Sequence, residues 1–355
     1  MAWGRRQHRL RALVLSAGFG QRLRPLTQQI PKPLLPVLGK SSVVRTLQGL
    51  ARLGCESAFL NLHFLGEQVR EAVGTDVDGM EIRYSEEEEI LGTLGALGPI
   101  ARQLADSDAA LLINSDSLCR WPLSKMVKEH LRHDAIATLL IAERAPFRGN
   151  VAVSKDGRLL QLRHDRRLPS DGVASSELVF GGAQVLSPRL LDRVAGRSEP
   201  ADIVGELYEP LLDDRENLRA VRTKRPWHDL GTPWRYLQAL VQTAGRASPL
   251  RSSWISDRAT LGARSKIRRA VIEHEVVLEE DCRVETSAVL PGARLEAGCR
   301  LKDSLVAPGV VLPAGTGLDR RLVTPLSSGR DPAGRDSVVG QLVYTPIEVP
   351  QGATP

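Results

Sequence analysis

The sequence predicts an α/β chain in which a mostly parallel, Rossmann-like sheet is followed by a short parallel β-helix. Three observations carry this. Short apolar runs alternate with helical patterns over the first two-thirds of the 355 residues. The first run leads directly into a glycine- and proline-rich cationic loop. From Ala259 onward the chain repeats every 17 residues.

The elements follow in order. "LRALVLSA" (10–17) is a continuous apolar run ending at glycine, as a buried strand should be. Ser41 or Ser42 can cap a helix with apolar positions Val43, Val44, Leu47, Leu50 and Leu53, stopped by Gly54. "SAFLNL" (57–62) is a second strand, with a short helix over 66–73, and "MEIRYS" (80–85) is a third. "GTLGALGPIARQL" reads as a helix interrupted by glycine, and "AALLINSD" (109–116) as a fourth strand that turns polar at its end. Such alternation implies a parallel sheet with helices on both faces. Ligands of such sheets collect beyond the carboxyl ends of the strands, near a topological switch point. The first strand ends at the cationic loop and the fourth at Asp116, so both present polar residues at one sheet edge.

Composition narrows the partners. Hydrophobic residues make up 42% and charged residues 25%, an ordinary globular balance, while aromatics at 4% are too few for a base-stacking platform. The net charge of +6 suits phosphate-bearing partners but is spread along the chain, which argues against nucleic acid. No apolar run reaches the roughly 18 residues needed to span a bilayer. The start lacks a signal-peptide pattern, and the four cysteines form no C-x-x-C pair. A cytoplasmic protein is expected.

The loop "LSAGFGQRLRPLTQQIPKPLLPVLGK" (15–40) has three glycines, four prolines and four cations, and no acid. Gly18 and Gly20 let the backbone take positive φ and let a bound group approach the amides, which form a cavity for anions. Arg22 offers a fork of donors to phosphate oxygens, and Lys32, between two prolines, is a point charge on stiffened backbone. A polyphosphate fits. Neither a Walker loop nor a full G-x-G-x-x-G is present.

Ala17-Gly18, Gly20, Arg22-Leu23, Pro25-Leu26-Thr27 and the run Pro31 to Pro36 resemble the sugar-1-phosphate nucleotidyltransferases. So do "LGTLGAL" (91–97), "INSDSL" (113–118), "FGGAQVLSP" (180–188) and "WHDLGTP" (227–233), in the family's order. The resemblance implies transfer of a nucleotidyl group from a nucleoside triphosphate to a sugar 1-phosphate, with release of pyrophosphate. The sugar phosphate oxygen attacks the α-phosphorus in line, so the protein positions groups and neutralises charge.

By that resemblance, Ala17, Gly18, Gly20 and Arg22 lie along the nucleotide, and Gly92 and Thr93 approach the base. Arg22 draws on the leaving phosphates, and Lys32 holds the charge of the reacting ones. Asp116 and Asp229 are the implied ligands of Mg²⁺, a hard ion that favours oxygen. Asn150 and Gly182 are placed against the sugar.

Several departures stand out. Ser115 replaces the glycine of N-G-D, "LQLRHDR" (160–166) stands where E-K-P is usual, and "FGGAQ" replaces N-x-G-[IV]-Y. Glu86 to Glu89 read as a solvated turn, and His130 and His133 as residues of a polar helix face.

In the repeat, Leu261, Leu278, Leu295 and Leu312 form one aliphatic column. Ile267, Val284, Leu301 and Leu318 form a second, and Ile272, Val289, Val306 and Val323 a third. Three inward aliphatics per turn fit a triangular coil. The pattern resembles the left-handed hexapeptide β-helix carried by many of these transferases. Cys282 and Cys299 stack in a column with Ser265 and Thr316.

The expected domains are 9–248 (nucleotidyltransferase), 252–326 (left-handed β-helix, a contact for homo-oligomers or a brace for the catalytic domain) and 327–355 (a loosely ordered tail in which "LVYTPIEV" docks as a strand). The leading reading is a Mg²⁺-dependent guanylyltransferase acting on mannose 1-phosphate for cell-envelope or polysaccharide synthesis. UTP or dTTP with glucose 1-phosphate or another sugar phosphate is the alternative. A catalytically silent sugar-nucleotide-binding paralogue, or an acyltransferase working through His274, would represent other classes.

Overall fold

A computed structural model describes residues 8–143, 149–163, 172–175, 177–247, 252–326 and 334–350. The chain divides into two compact units. The first comprises residues up to Phe19, Pro31–Leu34 and Ser42–His228. The second comprises Gly20–Ile30, Leu35–Ser41 and the chain from Asp229 onward.

The first unit is built on a sheet whose main strands are β1 (Leu10–Leu15), β2 (Ser57–Leu62), β3 (Met80–Glu86), β4 (Ala109–Asn114), β5 (Ala137–Glu143), β6 (Leu178–Leu186) and β7 (Leu218–Thr223). Their order is β7-β5-β6-β4-β1-β2-β3, with Asp76–Val77 at the far edge. β1 runs parallel to both β2 and β4, and β2 parallel to β3. β6 is antiparallel to β4 and β5, and the short edge strand Asp76–Val77 is antiparallel to β3, so the predicted parallel sheet carries two reversed strands. From β1 the chain builds outward through β2 and β3 and then returns to β1's other side as β4. The gap beyond β1 and β4 is therefore the switch point.

Side chains alternate across β1. Ala12 and Val14 face a core shared with Val43, Leu47 and Leu50 of α1 (Ser42–Leu53) and Met126 of α3 (Leu123–Arg132). Leu13 faces the opposite core, with Leu94, Leu97, Leu190 and Tyr208. Each fully buried aliphatic of this kind stabilises by about 1.5–3 kcal/mol. A short helix, α2 (Gly66–Val73), lies between β2 and β3 in sequence and buries Val69 and Val73. His130 differs from expectation: it is 2% exposed, on the apolar stripe of α3, with Nδ1 3.1 Å from Thr138 Oγ1.

The second unit contains the coil. Parallel strands stack at 17-residue intervals on three sides, as in Ile267↔Val284, Val284↔Leu301 and Leu301↔Leu318. The three predicted columns are buried, except on the first turn, where Leu261 is 43% exposed and Ile267 is half-buried. Its corners also repeat every 17 residues. Arg264, Asp281, Gly298 and Gly315 take positive φ at one corner, and Arg269, Thr286, Asp303 and Arg320 at another.

Val271, Ala288, Leu305 and Leu322 form a fourth buried column on the opposite face of one side. Here α4 (Pro233–Ala247) packs on the strands containing Val271 and Ala288. Leu342–Pro346 docks antiparallel on Arg321–Pro325, and Ser337–Val339 adds a further strand. Residues 327–333 and 351–355 of the expected tail lie outside the described residues. All four cysteines are free thiols.

Candidate active site

Parallel register brings the carboxyl ends of β1, β2 and β4 to one edge, with Leu15 opposite both Asn61 and Asn114. Beyond them, wholly within the first unit, lies a cavity of about 200 Å³. It is lined by Leu15, Ala17, Gly18, Asn61, Glu87, Ile90, Gly92, Thr93, Asn114 and Asp116. That is less than the roughly 300–1,000 Å³ of drug-sized ligand sites, as suits one end of a longer ligand.

Five predicted residues meet here: Ala17, Gly18, Gly92, Thr93 and Asp116. Gly18 has open space where a Cβ would stand and does not use positive φ; Gly20 does, at +60°, with its missing Cβ 2.9 Å from Thr27 Cγ2. The loop's left-handed residue is therefore Gly20, in the second unit, and Gly18 contributes room.

A sixth residue joins through Asp116. Lys32 Nζ lies 2.5 Å from Asp116 Oδ2, with the lysine side chain 10% exposed and the aspartate side chain 34% exposed. The two residues expected to carry opposite charge to the reaction thus neutralise one another in the free protein. Ser115 presents no obstacle: its hydroxyl turns to β1 and donates to the Leu15 carbonyl at 2.6 Å.

Glycine has a packing reason in "LGTLGALG". A Cβ on Gly92 would stand 2.6 Å from the Ala201 carbonyl oxygen, on Gly95 2.4 Å from that of Glu199, and on Gly98 2.1 Å from that of Arg197. Three glycines spaced by three let the segment 197–201 run against this turn. Gly92 also has φ +70°, and the Thr93 hydroxyl accepts from the Ile203 amide at 2.8 Å.

The glutamate run holds a residue that the sequence reading missed. Glu86, Glu88 and Glu89 are exposed, but Glu87 is 7% exposed and lines the cavity. Its Oε1 accepts from Asn61 Nδ2 at 2.7 Å, and its Oε2 from the Leu91 amide at 3.1 Å. Two carboxylate lone-pair positions remain for a ligand.

The other expected residues do not line this cavity. Asn150 donates to the Arg163 carbonyl at 2.8 Å. Gly182, at φ +76°, makes room for the Asn114 side chain 3.0 Å from where its Cβ would be. In the second unit, the Asp229 carboxylate pairs with Arg235, and Asp229 and Arg22 flank Gly231, whose Cβ would meet them at 2.7 and 3.0 Å. His274 is on the coil, its Nδ1 3.8 Å from Glu273. Residues 164–166 of the segment that replaces E-K-P lie outside the described residues.

The family model for nucleotidyl transferases matches residues 11–245, more than half of the sequence. The chain belongs to the nucleotidyltransferase family. A second model, for GlmU-like C-terminal hexapeptide repeats, matches residues 238–321. Among curated relatives, the mannose-1-phosphate guanylyltransferase catalytic subunit beta of Drosophila pseudoobscura pseudoobscura is 29% identical over 236 residues, covering 65% of this chain and 61% of that protein. A probable mannose-1-phosphate guanylyltransferase 2 of Arabidopsis thaliana is 30% identical, covering 65% and 64%. The match thus spans less than two-thirds of the length of these relatives. The crystal structure of HddC from Yersinia pseudotuberculosis has a TM-score of 0.54 at 19% identity, covering 66% of this chain and 99% of that one. A structure of that protein complexed with GMP-PN is equally similar in fold. Among the described residues, no helix is long and apolar enough to cross a membrane.

Proposed function

We propose that the protein transfers a guanylyl group from GTP to mannose 1-phosphate, releasing pyrophosphate. The observation that carries the base is Glu87. Guanine presents two adjacent donors, N1–H and N2–H, on its pairing edge, and a carboxylate accepts both. Uracil and thymine present one donor there, and adenine and cytosine pair a donor with a ring nitrogen that repels the carboxylate. A site built around a buried acceptor discriminates strongly against a base that leaves it unpaired. The sugar is supported by the names of the relatives described above.

In the reaction, an oxygen of the sugar phosphate forms a bond to the α-phosphorus as the bond to the pyrophosphate oxygen breaks. Gly18 gives the triphosphate access to the loop amides. The Lys32 ammonium sits where it can neutralise phosphate charge. Asp116 is the residue of this cavity that would hold Mg²⁺. One carboxylate suits an ion that takes its remaining ligands from water and substrate phosphates, and the aspartate is the more exposed partner of its ion pair. The ion, when bound, supplies charge neutralisation at the phosphates.

The test is pyrophosphate release with Mg²⁺, crossing GTP, ATP, UTP, dTTP and CTP against a panel of sugar 1-phosphates. Turnover should be greatest with GTP and mannose 1-phosphate. Glu87→Gln should lose about 10–100-fold in kcat/KM for GTP, the worth of one charge-assisted hydrogen bond at about 1.5–3 kcal/mol. A pyrimidine triphosphate outperforming GTP would overturn the base assignment, and nucleotide binding without pyrophosphate release would overturn the activity.

A further inference from the structure

At the tip of β2, Asn61 and His63 each link Glu87 to the loop after β1, Asn61 at Ser16 and His63 at Phe19. The Asn61 side-chain oxygen accepts from the Ser16 amide at 2.7 Å, and its NH₂ donates to Glu87 Oε1 at 2.7 Å. The orientation of the amide is fixed, because its oxygen must face an N–H and its nitrogen a carboxylate. His63 repeats the bridge one step outward. Its Nδ1 is 2.9 Å from the Glu87 carbonyl oxygen, which only accepts, so the ring proton lies on Nδ1. The same ring meets Phe19 edge-on with centroids 5.2 Å apart, and Phe19 also packs on Phe64 at 5.8 Å.

Ser16 and Phe19 bracket Ala17 and Gly18, the loop residues that line the cavity. Glu87 is thus held by its carboxylate and by its main chain, and each hold continues to one end of that loop. Both bridges lie within the first unit. Neither Asn61 nor His63 is needed for the sheet itself. Strand pairing uses the backbone, and the buried amide and the half-buried imidazole are spent on these links.

We infer that Asn61 and His63 are positioning residues that couple recognition of the guanine edge to the geometry of the Ser16–Phe19 loop. The correct base then acts on the rate of transfer as well as on binding. This rests on the reading of Glu87 as the guanine acceptor. A base that engages Glu87 fully fixes the carboxylate and, through the two bridges, the loop amides. A base that engages it partly leaves the loop free to shift, and misplacement of about 1 Å at a reacting centre costs about a hundredfold in rate. Binding energy gained at the base is in this way expressed at the phosphates.

The experiment compares GTP with ITP, which lacks only the 2-amino donor, on the full-length enzyme with Mg²⁺ and mannose 1-phosphate. His63→Asn keeps a donor for the Glu87 carbonyl but removes the ring from Phe19, and His63→Phe does the reverse. Wild type should favour GTP by about tenfold, chiefly in kcat, the equivalent of about 1.4 kcal/mol. In each variant kcat with GTP should fall toward the ITP value while kcat with ITP stays within about twofold, so that the two nucleotides converge. An equal fractional loss on both nucleotides, or a kcat ratio unchanged from wild type, would overturn the coupling. A wild-type enzyme indifferent to the 2-amino group would instead remove Glu87 as the guanine acceptor, and the wild-type arm alone reads that.

Discussion

Replacing Asp116 by Asn removes the charge opposite Lys32 and keeps the side-chain shape. At 2.5 Å, two unit charges in an effective dielectric of about 20 attract by about 7 kcal/mol before desolvation is subtracted. The two partners are not equally placed. The lysine side chain is 10% exposed and the aspartate side chain 34%, so losing the aspartate strands a buried ammonium, whereas losing the lysine leaves a carboxylate that water reaches. Breaking a buried pair costs about 3–5 kcal/mol, and the lower end applies here because solvent enters from the aspartate side. Asp116→Asn should therefore destabilise by about 3 kcal/mol, and Lys32→Met, which keeps the apolar stem, by about 1 kcal/mol. The double variant has no charge to strand and should lie within about 1 kcal/mol of wild type. Denaturant unfolding or thermal unfolding of the four proteins gives the cycle, with Tm shifting by about 2–4 °C per kcal/mol. If the double variant loses the sum of the two single losses, the pair is not coupled and the asymmetry argument fails. Both single variants should also lose pyrophosphate release by about 10²–10³-fold, the scale for removing one preorganised charge from an active site.

Two further predictions concern the scaffold. His130 is held neutral, mainly by burial, with its pKa lowered to about 4 from 6.5. Its folded value lies below the unfolded one, so its contribution is complete above pH 6.5 and is lost as pH falls toward 4, by about 3 kcal/mol in all; the difference in unfolding free energy between wild type and His130→Asn should narrow over that window, and a difference that is flat with pH would refute it. On the coil, exposed Arg269 occupies a corner at φ +49°. Since a side-chain-bearing residue there costs about 1–2 kcal/mol relative to glycine, Arg269→Gly should raise the denaturation midpoint by about 1 kcal/mol equivalent, and a lower midpoint would show that the corner is unstrained.

What the sequence revealed and what it concealed have the same origin. The strands were legible because both faces of β1, β2 and β4 are largely buried, which requires runs dominated by apolar residues. The coil was legible because each turn must repeat its inward residues. The fourth column was equally visible, since each repeat carries an adjacent apolar pair such as Val271-Ile272 and Leu305-Val306. It passed unread because a triangular coil alone does not need it; a helix covering one side does. His130 follows Leu123, Met126 and Val127 at helical spacing, a stripe that outweighs the polarity of its ring. Glu87 had no comparable signal. Four glutamates in a row look solvated, and only the arrival of Asn61 from another strand and the amide of Leu91 makes one of them a buried acceptor. Lys32 and Asp116 were each legible as charged loop residues, but their contact across 84 positions belongs to the fold.

The charges lining this cavity constrain how a triphosphate enters it. Lys32 and Asp116 cancel, and Glu87 adds a buried negative charge, so these three groups of the first unit present a net charge of about −1 to a ligand that is itself strongly anionic. These three side chains taken together therefore do not themselves attract a triphosphate. On the proposed function the pair would open, with the ammonium turning to phosphate oxygens and the carboxylate left to a cation. Neither move is favourable alone: a phosphate at Lys32 without a cation at Asp116 places two anions side by side, and a cation at Asp116 without phosphate strands the ammonium. On the proposed function, occupancy of the two positions would be mutually dependent: Lys32 would serve the phosphates and Asp116 would hold the divalent ion that accompanies them.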